Sequence, residues 1–200
     1  MHDRQMQRLN DLLFYRFERE GTSLFALFDA ARERGIHEQI RRSSLEYGCL
    51  FTGHLSEELL SAAPYIVRIV PGSVTFQRLI EQGWGHAWGL FLAARAGLHT
   101  VRRHLRGLLQ VRTENHKRLF FRYYDPRVLR IFLPICDPAQ LVQVFGPIQR
   151  FDIETPDGSQ LLRFRLIPKP SAPPNLRSWT YALSDSEDAA DDLGSPAPIA

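Results

Sequence analysis

Apolar residues recur with two different periods along this chain, and the switches between them predict alternating strands and helices. Residues 23–28 form a nearly continuous apolar run, which is typical of a strand buried on both faces. Residues 29–43 become polar with helical spacing, and residues 46–51 return to strand character. This order predicts a strand–helix–strand unit. The same patterns predict helices over 3–20, 73–82 and 98–109 and strands over 65–70 and 90–93. Ser56 is expected to cap a short helix, and Asp137-Pro-Ala-Gln140 to begin another with a capping box.

The carboxyl-terminal third changes to a pattern of antiparallel strands. Residues 148–154 and 159–167 alternate, and Thr155-Pro-Asp-Gly158 between them is a favourable turn, so we expect a hairpin. Its parity places two sets of residues on opposite faces. The charged face carries Arg150, Asp152, Glu154, Arg163 and Arg165, and the core face carries Phe151, Ile153, Leu162, Phe164 and Leu166.

From Pro168 onward the chain has many prolines and serines and an acidic cluster, so it is expected to be disordered. Trp179 and Tyr181 are exceptions, which either pack locally or form a short docking segment. The predicted fold class is α/β: a single layered domain with a mixed β-sheet flanked by helices, a C-terminal antiparallel hairpin and a disordered C-terminal tail. The predicted divisions are an N-terminal helix (1–22), the α/β domain (23–167) and a Pro-rich acidic tail (168–200).

Residues 119–134 combine an extended segment, a tight turn and a helix. Alternation puts Phe120, Arg122 and Tyr124 on one side of the extended segment. Asp125 is a favoured N-cap, because its carboxylate accepts backbone N–H groups of the first turn, and the following proline suits the first helical position. Pro134 is expected to end the helix.

The polar residues of this block allow two interpretations. In the structural one, Arg122 pairs with an acid, Tyr123 fills the core and Asp125 only caps the helix. In the functional one, Arg127 and Arg130 project from one side of the helix and form a partner-binding surface beside aromatic residues.

Charge is distributed unevenly over the 200 residues. The net charge is +3, but residues 184–200 hold five acids and no base. Residues 1–183 therefore carry 25 basic and 17 acidic groups, a net +8. This balance suits an acidic partner. A stripe of Arg102, Arg103, Arg106 and Arg112 leaves nucleic-acid binding open as an alternative.

Compartment and chemistry are constrained by what the sequence contains. No apolar run approaches the roughly 20 residues that span a bilayer, and the charged N-terminus lacks a signal-peptide core, so a cytoplasmic location is expected. Cys49 and Cys136 fit reduced core thiols. No hydrolase, zinc-protease or phosphate-loop motif occurs, and the scattered histidines predict neither a metal nor a cofactor site. An enzyme with a dispersed Cys/His site remains an alternative, since such pairs assemble only in space.

Five motifs, in this order, resemble the cytoplasmic adaptor/chaperone family of bacterial type VI secretion, whose members are encoded beside VgrG and effector genes. They are Leu24-Phe-Ala-Leu-Phe-Asp29-Ala-Ala, Cys49-Leu-Phe-Thr-Gly53 with Leu55-Ser56, Ala63-Pro64-Tyr65-Ile-Val-Arg68, Gly83-Trp-Gly-x-x-Trp88-Gly, and Phe121-Arg-Tyr-Tyr-Asp-Pro-Arg-Val-Leu129 with Phe132-Leu-Pro134.

The resemblance implies a protein that is not an enzyme but binds a toxic effector and helps load it onto the VgrG spike or its PAAR tip protein. It implies no cofactor, and it suggests a cognate effector as the main partner. The candidate partner-binding residues are Trp84, Trp88, Arg122, Tyr124, Arg127 and Arg130.

Overall fold

The computed structural model describes residues 3–14, 22–112 and 116–184. Within these residues the chain forms seven helices and nine strands. The helices are α1 (Asp3–Phe14), α2 (Ile36–Arg42), α3 (Glu57–Ser61), α4 (Val74–Gly83), α5 (Leu98–Leu108), α6 (Pro126–Ile135) and α7 (Pro138–Phe145). The strands are β1 (Ser23–Asp29), β2 (Tyr47–Cys49), β3 (Pro64–Arg68), β4 (Gly89–Ala94), β5 (Gln110–Arg112), β6 (Arg118–Phe120), β7 (Ile148–Glu154), β8 (Gln160–Lys169) and β9 (Ala172–Ala182).

Seven of the strands form one sheet in the order β2-β3-β1-β4-β7-β8-β9. The predicted strand–helix–strand unit is confirmed, since β1 and β2 run in the same direction on either side of α2. However, β3 inserts between them and runs opposite to both. In the same way β1 separates β3 from β4. These are split β-α-β units. The predicted α/β layered domain is confirmed, and every described pairing in its sheet is antiparallel, where parallel pairs were also expected.

Helices cover both faces of the sheet, which explains the continuous apolar run of β1. Leu24, Ala26 and Phe28 point into one core with α1, α2 and α4, whereas Phe25 and Leu27 point into a second core with α5, α6 and α7. Because β1 lies between two layers of helices, both of its faces are buried, and its sequence shows no alternation of apolar and polar residues. The sheet is therefore the middle layer of three.

The predicted helix starts are confirmed by their capping bonds. The side chains of Ser56, Ser73, Asp125 and Asp137 accept backbone N–H groups at the starts of α3, α4, α6 and α7. Gln140 completes a capping box with Asp137. Pro134 lies in the last turn of α6, which ends at Ile135. Residues 15–20 of the predicted first helix lie outside the described residues.

The extended segment before α6 is shorter than predicted. Strand β6 stops at Phe120 and pairs only with β5, in a small separate sheet. The backbone N–H of Phe121 donates to Leu109 O at 2.8 Å, and a turn follows. Arg122 and Tyr124 therefore lie on a turn, where strand alternation does not apply.

The predicted hairpin of β7 and β8 is confirmed, with Asp152 opposite Arg163 and Arg150 opposite Arg165. Its charged face is nevertheless covered, because α1 packs over it. Arg163 Nη2 donates to Leu12 O of α1 at 2.8 Å, and Arg150 donates to Leu13 O. The N-terminal helix is thus part of the α/β body.

Disorder from residue 168 was a wrong prediction for the residues that the structure describes there. Strand β9 pairs with β8 from Ala172 to Ala182, at one edge of the sheet. An edge strand tolerates proline because half of its N–H groups need no partner strand. Trp179 and Tyr181 pack locally, with the Tyr181 ring centroid 5.2 Å from the Arg163 guanidinium carbon. Residues 185–200 of the predicted tail lie outside the description.

Candidate functional site

One end of the seven-stranded sheet brings the sequence motifs together. Strand β1 ends there at Asp29, β7 ends at Glu154, and β4 begins at Gly89, opposite Phe28. The backbone N–H of Asp29 donates to Trp88 O at 2.8 Å, which joins two of the motifs directly. We call this the motif end of the sheet.

Arg122 lies over the buried carboxylate of Asp29 and forms an ion pair with it. The Asp29 side chain is 1% exposed, whereas that of Arg122 is 45% exposed. The other Asp29 oxygen accepts the N–H of Ala31 at 3.1 Å. The hydrogen-bonded ion pair with Asp29 raises the pKa of Arg122 above its ordinary value. The guanidinium is therefore fixed from below while part of it faces solvent.

Arg127 is held in the same manner by Asp125, the N-cap of α6. Arg127 Nε donates to Asp125 Oδ1 at 2.9 Å and Nη2 donates to Oδ2 at 2.6 Å, a bidentate pair. Burial raises the pKa of Asp125, but the hydrogen bonds and charge of Arg127 outweigh burial and leave that pKa below its ordinary value. The Arg127 side chain remains 52% exposed.

Arg130 connects α6 to the end of β7. Its Nη1 donates to Glu154 O at 2.7 Å. The Glu154 carboxylate in turn accepts the backbone N–H groups of Gly85 at 2.6 Å and Ala87 at 2.8 Å. Burial raises the pKa of Glu154 more than these bonds lower it. Glu154 thus ties the Gly83–Gly89 loop to the hairpin, at the point where Arg130 binds.

The glycines of this loop are required by close packing and by backbone conformation. A Cβ on Gly89 would lie 2.1 Å from the Leu27 carbonyl oxygen, and one on Gly83 would lie 2.8 Å from the Trp88 ring. Gly85 has a φ of 84°, and Ala87, with a φ of 56°, shares the left-handed region that favours glycine. The loop is built to place two indole rings beside the sheet rather than to cradle a phosphate.

The six candidate residues all converge on the motif end, but in two classes. Trp84, Trp88 and Tyr124 are buried, and Trp84 Nε1 donates to Gly158 O at 2.7 Å. Burial raises the pKa of Tyr124 to about 12. These rings support the site from inside. The exposed contact area comes from Arg122, Arg127 and Arg130, which we call the arginine cluster.

Two acidic residues of the motif end, Asp29 and Glu154, were not among the candidates. Asp29 stands in the first motif, and its position directly after a buried strand was the available signal. Glu154 was placed only on the charged face of the hairpin. Its contact with the loop joins residues 67 or more positions apart, which no local pattern reveals.

The predicted basic stripe on α5 is only partly free. Arg102 Nε donates to Cys49 O at 2.7 Å. Arg103 and Arg106 are exposed, and the side chain of Arg112 lies outside the described residues. Nucleic-acid binding through this stripe stays a prediction.

Burial raises the pKa of both Cys49 and Cys136, the opposite of the shift that activates a thiol nucleophile. In the described ranges, no three His, Cys, Asp or Glu side chains lie together as metal ligands. No helix of that part of the chain is long and apolar enough to cross a membrane.

Comparison with known proteins gives one family match. Residues 24–143 match the family described as "Domain of unknown function (DUF4123)". No curated protein and no solved structure matches the chain. The matched region contains the five motifs and the arginine cluster, whereas Glu154 and Gly158, which hold the loop, lie beyond it.

Proposed function

The chain belongs to the DUF4123 family, which is associated with type VI secretion effector adaptors, and we propose that it is such an adaptor, binding a cognate secreted effector. In this proposal the protein works in the cytoplasm, has no catalytic activity of its own, and helps load the effector onto the VgrG spike or the PAAR tip protein.

The arginine cluster is the observation that carries the proposal beyond family membership. Three guanidinium groups are fixed at one end of the sheet, each by a short bond to a buried or backbone acceptor. Fixing them in the free protein lowers the entropy lost when a partner binds. Exposed arginine donors suit carboxylates on a protein partner.

The position of the cluster also suits a carrier. It stands on the outside of the two cores, so a partner can dock without opening either of them. Arginine is enriched where protein surfaces bind one another. The cluster therefore supports binding more directly than it supports a reaction.

Co-expression with the product of the adjacent effector gene tests this proposal. A tag on the effector should recover the chain in a stable complex that survives size-exclusion chromatography. The double variant Arg127→Ala/Arg130→Ala should weaken that complex by about tenfold or more. Arg122 is left in place, and a thermal melt checks that the variant, in which the buried Asp125 loses its ion-pair partner, is still folded.

The matched control is Arg41→Ala/Arg42→Ala, which removes two exposed arginines that also have an acidic partner, Glu38. This control should bind like the wild type. If the wild-type chain recovers no effector, or if both double variants lose binding equally, the proposed role of the cluster is contradicted.

A further inference from the structure

A groove of about 790 Å³ opens beside the motif end, between the loop after β2, helix α5 and strand β6. Its apolar wall comes from Phe51, Leu55, Leu109 and Phe120, and its rim carries Arg103 and Arg106. Leu109 is buried, so the floor belongs to the second core. The groove is a depression of mixed polar and apolar surface with a basic edge.

Phe120 is the main apolar contact that this groove offers. Its side chain is 51% exposed, although it lies in the middle of an aromatic row. The ring centroids of Phe51 and Tyr124 lie 5.6 Å and 6.4 Å from that of Phe120, both edge to face. Tyr124 in turn lies 5.8 Å from the Arg122 guanidinium carbon. The groove is therefore continuous with the arginine cluster.

The charge at the rim is uncompensated in the described part of the chain. Arg103 and Arg106 are exposed one turn apart on α5, and that helix contains no acidic residue. No acidic side chain lines the groove either. By contrast, the exposed Arg41 and Arg42 of α2 share Glu38. The groove thus combines two positive charges with an exposed aromatic side chain, that of Phe120.

We infer that this groove binds an acidic segment of the effector that inserts at least one large apolar side chain beside Phe120. The inference rests on the proposed function and names the chemistry of the partner. Carboxylates of the segment pair with Arg103 and Arg106, and the inserted side chain covers Phe120, which would otherwise stay exposed to water. The arginine cluster extends the same surface for further acidic residues.

A single-stranded nucleic acid is the other class of ligand that combines arginines with aromatic residues. Bases stack on open ring faces, whereas Phe51 and Phe120 meet at 74°, edge to face. This arrangement offers no pair of parallel faces for successive bases. The geometry therefore favours a peptide side chain.

The test measures the dissociation constant of the full-length effector from the adjacent gene for four variants of the full chain. Phe120→Ala and Arg106→Glu should each weaken binding by about tenfold. The effect of Arg106→Glu should shrink at high salt, because it is electrostatic. The matched controls, Val74→Ala and Arg78→Glu, change exposed residues of α4 in the other layer and should leave binding unchanged. A thermal melt of each variant checks that it is folded.

The outcomes separate this inference from the proposed function. If the wild type binds the effector and neither Phe120→Ala nor Arg106→Glu weakens that binding, the inference about the groove is overturned and the adaptor role is kept. Failure of the wild type to bind any effector overturns both. An oligothymidine probe that binds the wild type and is lost in Phe120→Ala also overturns the inference, since the groove would then take nucleic acid.

Discussion

Replacing Asp152 with alanine tests how the buried charged face of the hairpin holds the fold together. Asp152 has no exposed surface, and its carboxylate accepts from Arg163 Nε at 2.6 Å and Nη2 at 3.0 Å. Arg150 Nε lies 3.1 Å from the same carboxylate. Since both arginines also donate to carbonyl groups of α1, one acid connects the sheet and the helix.

The expected magnitude follows from this burial. Arg163 and Arg150 are 5% and 8% exposed, so neither reaches water easily when the carboxylate is removed. Breaking a buried ion pair by removing one partner costs about 3–5 kcal/mol. We expect Asp152→Ala to lower the free energy of unfolding by about 4 kcal/mol and Tm by about 8–16 °C. Asp152→Asn keeps one acceptor oxygen and should cost less.

Urea denaturation followed by circular dichroism measures this change, and hydrogen exchange reports on residues 3–14 separately. Exchange in α1 should accelerate most, because its Leu12 and Leu13 carbonyl groups depend on the same arginines. Glu38→Ala is the control, since Glu38 also serves two arginines but at the surface. If Asp152→Ala costs no more than Glu38→Ala, the buried network does not stabilise the fold as described.

Three further predictions concern the motif end and the cysteines. Gly89→Ala should lower Tm steeply, because its Cβ would meet the Leu27 carbonyl oxygen at 2.1 Å. The control is Gly107→Ala, which has open space around it on a helix and should stabilise the fold by up to about 1 kcal/mol. Similar melting temperatures for both variants would contradict the close approach of β1 and β4. Burial raises the pKa of Glu154 above its ordinary value of 4.5, so the native state binds its proton more tightly and stability should fall as pH rises from 4.5 through the folded pKa. In Glu154→Gln the free energy of unfolding should no longer show this fall with pH. A wild-type free energy of unfolding that instead rises with pH over this range, relative to Glu154→Gln, would refute the prediction. Cys49 and Cys136 should react with iodoacetamide more slowly than free cysteine near neutral pH, because burial raises both pKa values. Urea should restore the rate, and fast labelling of the native chain would show an activated thiol instead.

Local chemistry made much of the fold predictable. Capping residues and helical spacing identify their helices because those signals act over three or four residues, as at Asp125 and Asp137. The hairpin parity was predictable for the same reason, since Thr155-Pro-Asp-Gly158 sets the register of its two strands. These elements depend on neighbours in sequence.

The features that the sequence did not predict depend on neighbours in space. The insertion of β3 between β1 and β2 is a choice of topology that no local pattern encodes. The proline-rich segment that forms strand β9 was predicted to be disordered, yet prolines are tolerated in a strand at the edge of a sheet. The charged face of β7 looks solvated until α1 covers it, because charges that neutralise one another can be buried together.

The site shows the same division between short-range and long-range signals. The resemblance singled out the six candidates before any contact was known, and the structure brings them to one end of the sheet. Burial then separated the three arginines from the three rings, since an aromatic residue in a motif can serve packing or binding equally well. The Phe120 groove went unrecognised, because its walls come from three separate segments.

Hydrogen exchange of the chain alone and in complex with its effector tests the central claim most directly. The account predicts protection on binding in residues 50–55, 103–110 and 118–130, which line the Phe120 groove and contain the arginine cluster, with little change in α2 and α4. Protection confined to α2 and α4, or none in a complex that forms, would contradict it.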